Sequence, residues 1–251
     1  MSANRPFVLS IAGFDPSGGA GVLADVKTFE QHQVYGFAVT TGNTIQTEND
    51  FYTMKWTDID FVLTSLKKLF ENYDIKAVKI GIVPSLDYLE KIVFSIKRLS
   101  PKTKIVWDTV LKSTTEFDFM NIENQTVLIE ILRELDLITP NYNEILQLDS
   151  VEKNAVQIAQ KLSKYCAVYL KGGHNPEEKG VDYLHTETAI FKLLPNQNRI
   201  YEKHGSGCVL SSALAANLAL EKDLKTACDE AKKYTENLLT SNPSKLGYHY
   251  V

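Results

Sequence analysis

His204-Gly205-Ser206-Gly207-Cys208 sets two glycines around a serine, directly before a strongly apolar run. If a helix begins there, its first N–H groups have no intrahelical partner, and its dipole adds partial positive charge at the same end. Donors clustered in this way suit a phosphate, or the charge that develops on a phosphoryl group in transfer. Cys208 falls in the first turn, where a thiol pKa is expected below its free value of about 8.5. The same residues also read as a tight turn followed by a small buried cysteine.

A second constellation is Thr139-Pro140-Asn141-Tyr142-Asn143-Glu144. Asn141 and Glu144 stand three apart, which puts both polar ends on one side of a helical turn. Such a pair can organise Mg²⁺ and its waters through oxygen ligands, or it can simply cap a helix. Asp108, at the end of an apolar stretch, could assist a metal or orient phosphate. Lys171, ahead of two glycines, could meet a phosphate as a point charge. The segment Asp15-Pro16-Ser17-Gly18-Gly19-Ala20-Gly21 formally contains G-x-G-x-x-A at Gly19, Gly21 and Ala24. A dinucleotide fingerprint needs its first glycine at the strand end and an acid after the second strand, and both are missing. The loop reads instead as a close approach of backbone to ligand, or as a turn into a tightly packed helix. His32, His174, His185 and His249 show no metal-ligand spacing, and Trp56 and Trp107 read as packing residues.

These residues need a frame to bring them together. Short apolar runs at Phe7–Ala12, Phe37–Thr41, Ala77–Ile80, Lys104–Trp107, Leu137–Thr139 and Ala167–Leu170 read as strands. Helical spacing covers Ala20–His32, Thr57–Phe70, Ser85–Leu99, Val151–Tyr165, about Gly207 to Leu220, and roughly Leu224–Leu239. Polar strands around Tyr183 and Ile190 read as a hairpin. The alternation predicts an α/β fold with a mostly parallel sheet covered on both faces, spanning residues 1–251 as one domain. In such folds ligands gather at the carboxyl ends of strands. Gly13, Gln46, Gly81, Asp108, Asn141 and Lys171 all fall there.

Composition narrows the function. The chain has 251 residues, 44% of them apolar, and a formal net charge of −4. A nucleic-acid partner would need a clustered basic face. The pairs Lys67-Lys68 and Lys232-Lys233 lie within helical patterns and read as solvated faces. Three cysteines without paired spacing argue against a disulfide framework. No run approaches a membrane span or a signal-peptide core, so a reducing, cytoplasmic setting is expected.

The segments IAGFDPSGGAG (11–21), ADVKTF (24–29), VYG (34–36), KIGIV (79–83), VWDTVL (106–111), LITPNYNE (137–144), LKGGH (170–174) and HGSGC (204–208) occur in the order found in one family. The chain resembles the hydroxymethylpyrimidine/phosphomethylpyrimidine kinases of thiamin biosynthesis, a branch of the ribokinase-like superfamily. The resemblance implies a three-layer α/β/α fold. It also implies ATP-dependent phosphorylation of 4-amino-5-hydroxymethyl-2-methylpyrimidine and then of its monophosphate, with Mg²⁺, in a homodimer. By the same resemblance Gly13, Asp25 and Gln46 line the pyrimidine pocket, and Ile82 and Val110 wall it. Asn141 and Glu144 handle Mg²⁺ and phosphate, Asn141 through water, and Asp108 and Lys171 lie near the nucleotide phosphates. Gly205, Ser206 and Gly207 form the anion hole, and Cys208 is the general base. Phe14, Thr47 and Ile82 depart from the family pattern, as does Thr114 after Lys112-Ser113. These departures bear on substrate preference, with pyridoxal as the competing substrate. A reading of another class is a ligand-binding protein without catalysis.

Overall fold

Strand alternation decides which residues reach the site. In the computed structural model, which describes residues 5–112, 118–175, 177–196 and 200–250, the central strands send successive side chains to opposite faces. β1 (Phe7–Phe14) turns Leu9 and Ile11 to one apolar core and Val8 to the other. β4 (Ile75–Ile80) does the same with Val78 and Ile80 against Ala77. On the second face the period-2 positions nearest the strand ends are polar: Ser10, Lys79, Asp108, Thr139 and Lys171.

The elements follow one another as β1, α1 (Gly21–Gln31), β2 (Tyr35–Gln46), β3 (Phe51–Trp56), α2 (Ile59–Asn72), β4, α3 (Leu86–Leu99), β5 (Lys104–Trp107), α4 (Gln125–Glu134), β6 (Leu137–Ile138), α5 (Tyr142–Ile145), α6 (Ala155–Leu162), β7 (Ala167–Leu170), β8 (Asp182–His185), β9 (Ile190–Leu193), α7 (Ser206–Ala219) and α8 (Leu224–Thr240). A 3₁₀ turn at Gly172–His174 follows β7. The sheet order is β3-β2-β1-β4-β5-β6-β7-β8-β9. β2 through β7 in that order are parallel, β3 and β8 run antiparallel to them, and β9 pairs antiparallel with β8 and so runs with the main set. Residues of α2 to α6 fill one core; those of α1, α7 and α8 fill the other. The expected three layers and mostly parallel sheet are present. α7 is apolar nearly all round because it packs on β1, β4 and β5 on one side and on α1 and α8 on the others.

Several boundaries differ from the periodicity. β2 runs well beyond Thr41 to Gln46, because the antiparallel β3 pairs with its far end. β3 and α4 were not legible as elements. The helix expected from Val151 begins at Ala155, capped by Asn154, since Asp149 Oδ1 first accepts the N–H groups of Val151 and Glu152 in a turn. Lys232 is not on a solvated face. It is buried and bridges to Asp182 and Glu236, 2.8 and 3.2 Å away. Trp107 is buried in the core. No helix of the described residues is long and apolar enough to cross a membrane.

Candidate active site

Most helices here carry a side-chain cap: Asp58, Ser85, Asn124, Asn141, Asn154 and Asp223 each accept from the first turn of α2, α3, α4, α5, α6 and α8. α1 and α7 begin at Ala20 and Gly205 without one. The two helix starts adjoin. Gly205 has φ of 75°, a left-handed conformation, and a Cβ there would collide with the Gly19 carbonyl. The two glycine loops are therefore in backbone contact. Asp15 completes the junction. Its buried carboxylate accepts from Ser17 N, Ser17 Oγ and Ala20 N, and lies 2.9 Å from His204 Nε2. Burial pushes its pKa up, but His204 and Ser17 outweigh this and hold it below the ordinary carboxylate range. The Asp15–Gly21 loop is thus a packed turn, and a Cβ on Gly21 would strike the Gly13 carbonyl.

Lys171 reaches the start of α7, where a Cβ on Gly207 would stand 3.3 Å from its Nζ. The ammonium lies 3.1 Å from Asp108 Oδ1 and 3.4 Å from Glu144 Oε2. Burial alone would lower its pKa, but Asp108 and Glu144 raise it above the ordinary lysine value. Lys171 is thus a cation fixed beside the start of α7, and the structure brings it together with Gly207.

Asp108 was expected near phosphate or metal. The structure instead seals it: it has no exposed surface, Thr139 and Lys171 donate to Oδ1, and Ser211 of α7 donates to Oδ2 at 3.1 Å. Burial pushes its carboxyl up, yet Lys171 and Lys79 hold it below the ordinary value. Asp108 thus ties Lys171 to α7, with both of its oxygens taken up by protein donors.

Asn141 and Glu144 form a capping box on α5. Asn141 Oδ1 accepts from Asn143 N and Glu144 N, and Asn141 N donates to Glu144 Oε2 at 2.7 Å. The Asn141 oxygen is thereby committed to the helix, which corrects its expected role toward metal-bound water. Glu144 keeps Oε1 without a hydrogen bond among the described residues. Burial raises its pKa above the usual carboxylate range, against the pull of Lys171.

Asp25, expected in the wall of the pocket, is also sealed. Ser10 Oγ, Ser212 Oγ and Lys79 Nζ occupy both its oxygens at 2.5–3.0 Å. Gly13 and Ile82 do meet: a Cβ on Gly13 would stand 2.5 Å from Ile82 Cδ1. Val110 is partly exposed just after Asp108. Gln46 lies four residues beyond Gly42, the β2 partner of Gly13, and makes no side-chain hydrogen bond among the described residues. Phe14 is half-buried, its carbonyl accepting from Thr44 Oγ1. Thr47 turns its hydroxyl into the β2–β3 hairpin, accepting from Asn49 N and Asp50 N. Ser113 and Thr114 lie outside the described residues.

Cys208 stands in the first turn of α7 and is partly exposed. Its thiol does not follow the expected shift. Burial pushes it up to about 11, helped by Asp108 and Asp25, while Lys79 and the Gly21 N–H oppose. The free thiol is therefore protonated at neutral pH. Lys79, Ser211 and Ser212 hold the site's carboxylates, yet no spacing gave them a role, and Thr139, Asp15 and His204 stood in the segments singled out without a role of their own. Only period-2 or helical register could have given the first three a role. Among the described residues no three His, Cys, Asp or Glu side chains form a metal cluster.

The phosphomethylpyrimidine kinase family matches residues 15–251. The hydroxymethylpyrimidine/phosphomethylpyrimidine kinase of Aquifex aeolicus is 35% identical over 252 residues, covering 96% of this chain and 97% of that protein. The pyridoxine kinase of Bacillus subtilis is 30% identical, over 90% of this chain and 87% of its own length. A crystal structure of an ADP complex of Bacillus subtilis pyridoxal kinase superposes with a TM-score of 0.79 at 29% identity, covering 92% of this chain and 90% of that one.

Proposed function

The chain belongs to the phosphomethylpyrimidine kinase family, a group of ribokinase-like vitamin kinases, and from that premise we propose that it transfers the γ-phosphoryl group of ATP to hydroxymethylpyrimidine and then to its monophosphate. The observation that carries the reading is the Lys171 ammonium fixed beside Gly207 at the uncapped start of α7. A loose phosphoryl-transfer transition state asks mainly for positioning and for charge to face its oxygens. Free N–H groups, a helix dipole and a buried cation supply both.

In the proposed step the hydroxymethyl oxygen forms the new bond to the γ-phosphorus. The bond from that phosphorus to the bridging oxygen breaks, and ADP leaves with the electron pair. The hydroxyl proton passes to the Cys208 thiolate. Because the thiol is mostly protonated in the free protein, turnover should rise with pH. Glu144 suits Mg²⁺, which keeps several waters and takes one or two carboxylates alongside phosphate oxygens. Its Oε1, without a hydrogen bond among the described residues, is such a donor, while Oε2 lies 3.4 Å from Lys171 Nζ. The ion, when bound, would neutralise charge on the phosphates.

Gly13, Ile82, Val110 and Gln46 are proposed to hold the ring, Gln46 through its ring-nitrogen and amine edge. Pyridoxal also presents a hydroxymethyl on an aromatic ring, and relatives of both names match at similar identity. ATP turnover measured side by side with hydroxymethylpyrimidine, its monophosphate and pyridoxal decides the substrate. Turnover highest with pyridoxal would replace the pyrimidine assignment. ATP turnover that no substrate stimulates would remove the kinase reading.

A further inference from the structure

Lys79 and Asp25 have no exposed surface, and Lys79 Nζ lies 3.0 and 2.9 Å from the two Asp25 oxygens. Desolvation makes such a pair a poor source of stability beside an apolar pair of equal volume. Its place in the fold suggests another use. Ser212 donates to Asp25 Oδ1 at 2.7 Å, the same oxygen that Lys79 holds. Ser212 stands four residues after Cys208 in α7, on the same helix face and one turn along. The ammonium therefore lies behind α7 at Ser212, one turn along from Cys208. It is also close to the end of β4, since a Cβ on Gly81 would stand 3.2 Å from Nζ. Lys171 approaches the start of the same helix from the β7 side.

We propose that Lys79 is a positioning residue for phosphoryl transfer: its ammonium, locked by Asp25 behind α7, is a fixed positive charge that favours anionic charge both on Cys208 and on the phosphoryl group at Gly205–Gly207. A charge held by a buried partner cannot turn away, so it needs no reorganisation as the reaction proceeds. In the low dielectric of the interior it acts over a full helical turn. The groups that face Cys208 are Lys79 of β4, Asp25 of α1, Asp108 after β5 and Lys171 after β7. Lys79 opposes both carboxylates.

The proposal rests on the kinase reading, but its first test does not. Iodoacetamide alkylation of Cys208 is measured at pH 8 in the free protein, with Cys208→Ala as the blank; Cys166 and Cys228 are buried. Lys79→Met leaves Asp25 uncompensated, whereas Lys79→Met with Asp25→Asn removes both charges; the amide then accepts from one of Ser10 and Ser212 and donates to the other, whose hydroxyl turns to accept. One pKa unit costs tenfold in thiolate, and the more basic sulfur recovers about threefold in nucleophilicity, so the rate falls about threefold per unit. The double variant should react about threefold more slowly than wild type, and the single variant about tenfold more slowly. A loosened helix would expose the sulfur and speed the reaction. A double variant that reacts as fast as wild type, or faster, overturns the proposal, even if Lys79→Met fails to fold. In turnover the double variant should lose about tenfold in kcat with KM for ATP nearly unchanged. An unchanged kcat removes the phosphoryl half of the idea. Absence of turnover in wild type would overturn the kinase reading alone.

Discussion

Replacing Lys171 by methionine tests whether the buried charges at the start of α7 are coupled as described. The substitution leaves Asp108 without exposed surface and with only the hydroxyls of Thr139 and Ser211 as partners. Removing one member of a buried ion pair costs about 3–5 kcal/mol. For a chain of this size 1 kcal/mol moves Tm by roughly 2–4 °C, so Tm should fall by roughly 6–20 °C at pH 7. Adding Asp108→Asn removes the stranded charge and should recover at least half of the loss. The pH dependence has a definite sign. In the wild type the folded Asp108 pKa is lowered, so its contribution is present above the unfolded value near 4 and is lost as pH falls through the folded value. In the variant the uncompensated carboxyl regains stability as it protonates. The gap in Tm between the two proteins should therefore be full at pH 7 and narrow as pH approaches 4. Calorimetry at both pH values provides the readout. A loss of less than 2 °C at pH 7, or a gap unchanged at pH 4, would refute the coupling.

Gln46→Ala should raise KM for the ring substrate with KM for ATP nearly unchanged, by about 1–3 kcal/mol in kcat/KM for one lost partner; a rise confined to ATP places Gln46 elsewhere. Glu144→Ala should raise the Mg²⁺ concentration needed for half-maximal turnover and also lower Tm by roughly 1–4 °C through the lost capping box. An unchanged Mg²⁺ titration with a lowered Tm reduces Glu144 to a helix cap. Cys208→Ala should retain substrate affinity and lose turnover at least tenfold, within the range of about 10²–10⁴ for a positioned base. Its kcat should also lose the rise with pH that a thiol titrating near 11 gives the wild type. Full activity in Cys208→Ala leaves the sulfur as a small packed group.

The site was legible where chemistry and spacing coincide. Gly205–Gly207 before an apolar helix, Lys171 at a strand end and Asn141 three residues from Glu144 all come from local rules, and the structure brings them together. What escaped were the partners chosen by register. Lys79 sits in IKAVKI (75–80), where it reads as one polar residue in a core strand; only the pairing of β1 with β4 shows that it faces Ser10, Asp25 and α7. β3 was missed because FYTMKW has exposed and half-buried residues in no strict alternation. Asp108 and Asp25 are carboxylates of the expected type at the expected places, but the sequence did not show that protein donors take up both oxygens of each. The Cys208 shift had the other sign because a helix N-terminus was weighed without the burial that pushes the thiol up, and without the two carboxylates that long-range folding sets beside it.

The return of α7 to the middle of the sheet also orders events during synthesis. Ser212 closes on Asp25, which precedes it by 187 residues, and His204 on Asp15, which precedes it by 189. β4 to β9 join the sheet in the order in which they are made, so most of the frame can grow as the chain leaves the ribosome. The charges of Asp25, Lys79 and Asp108 must then wait on a bare sheet face until residues 206–219 arrive to cover them. A nascent chain halted before that point presents both an uncovered apolar layer and uncapped buried ions. Assembly of the centre therefore waits on the last fifth of the chain, the part whose truncation no upstream folding can compensate.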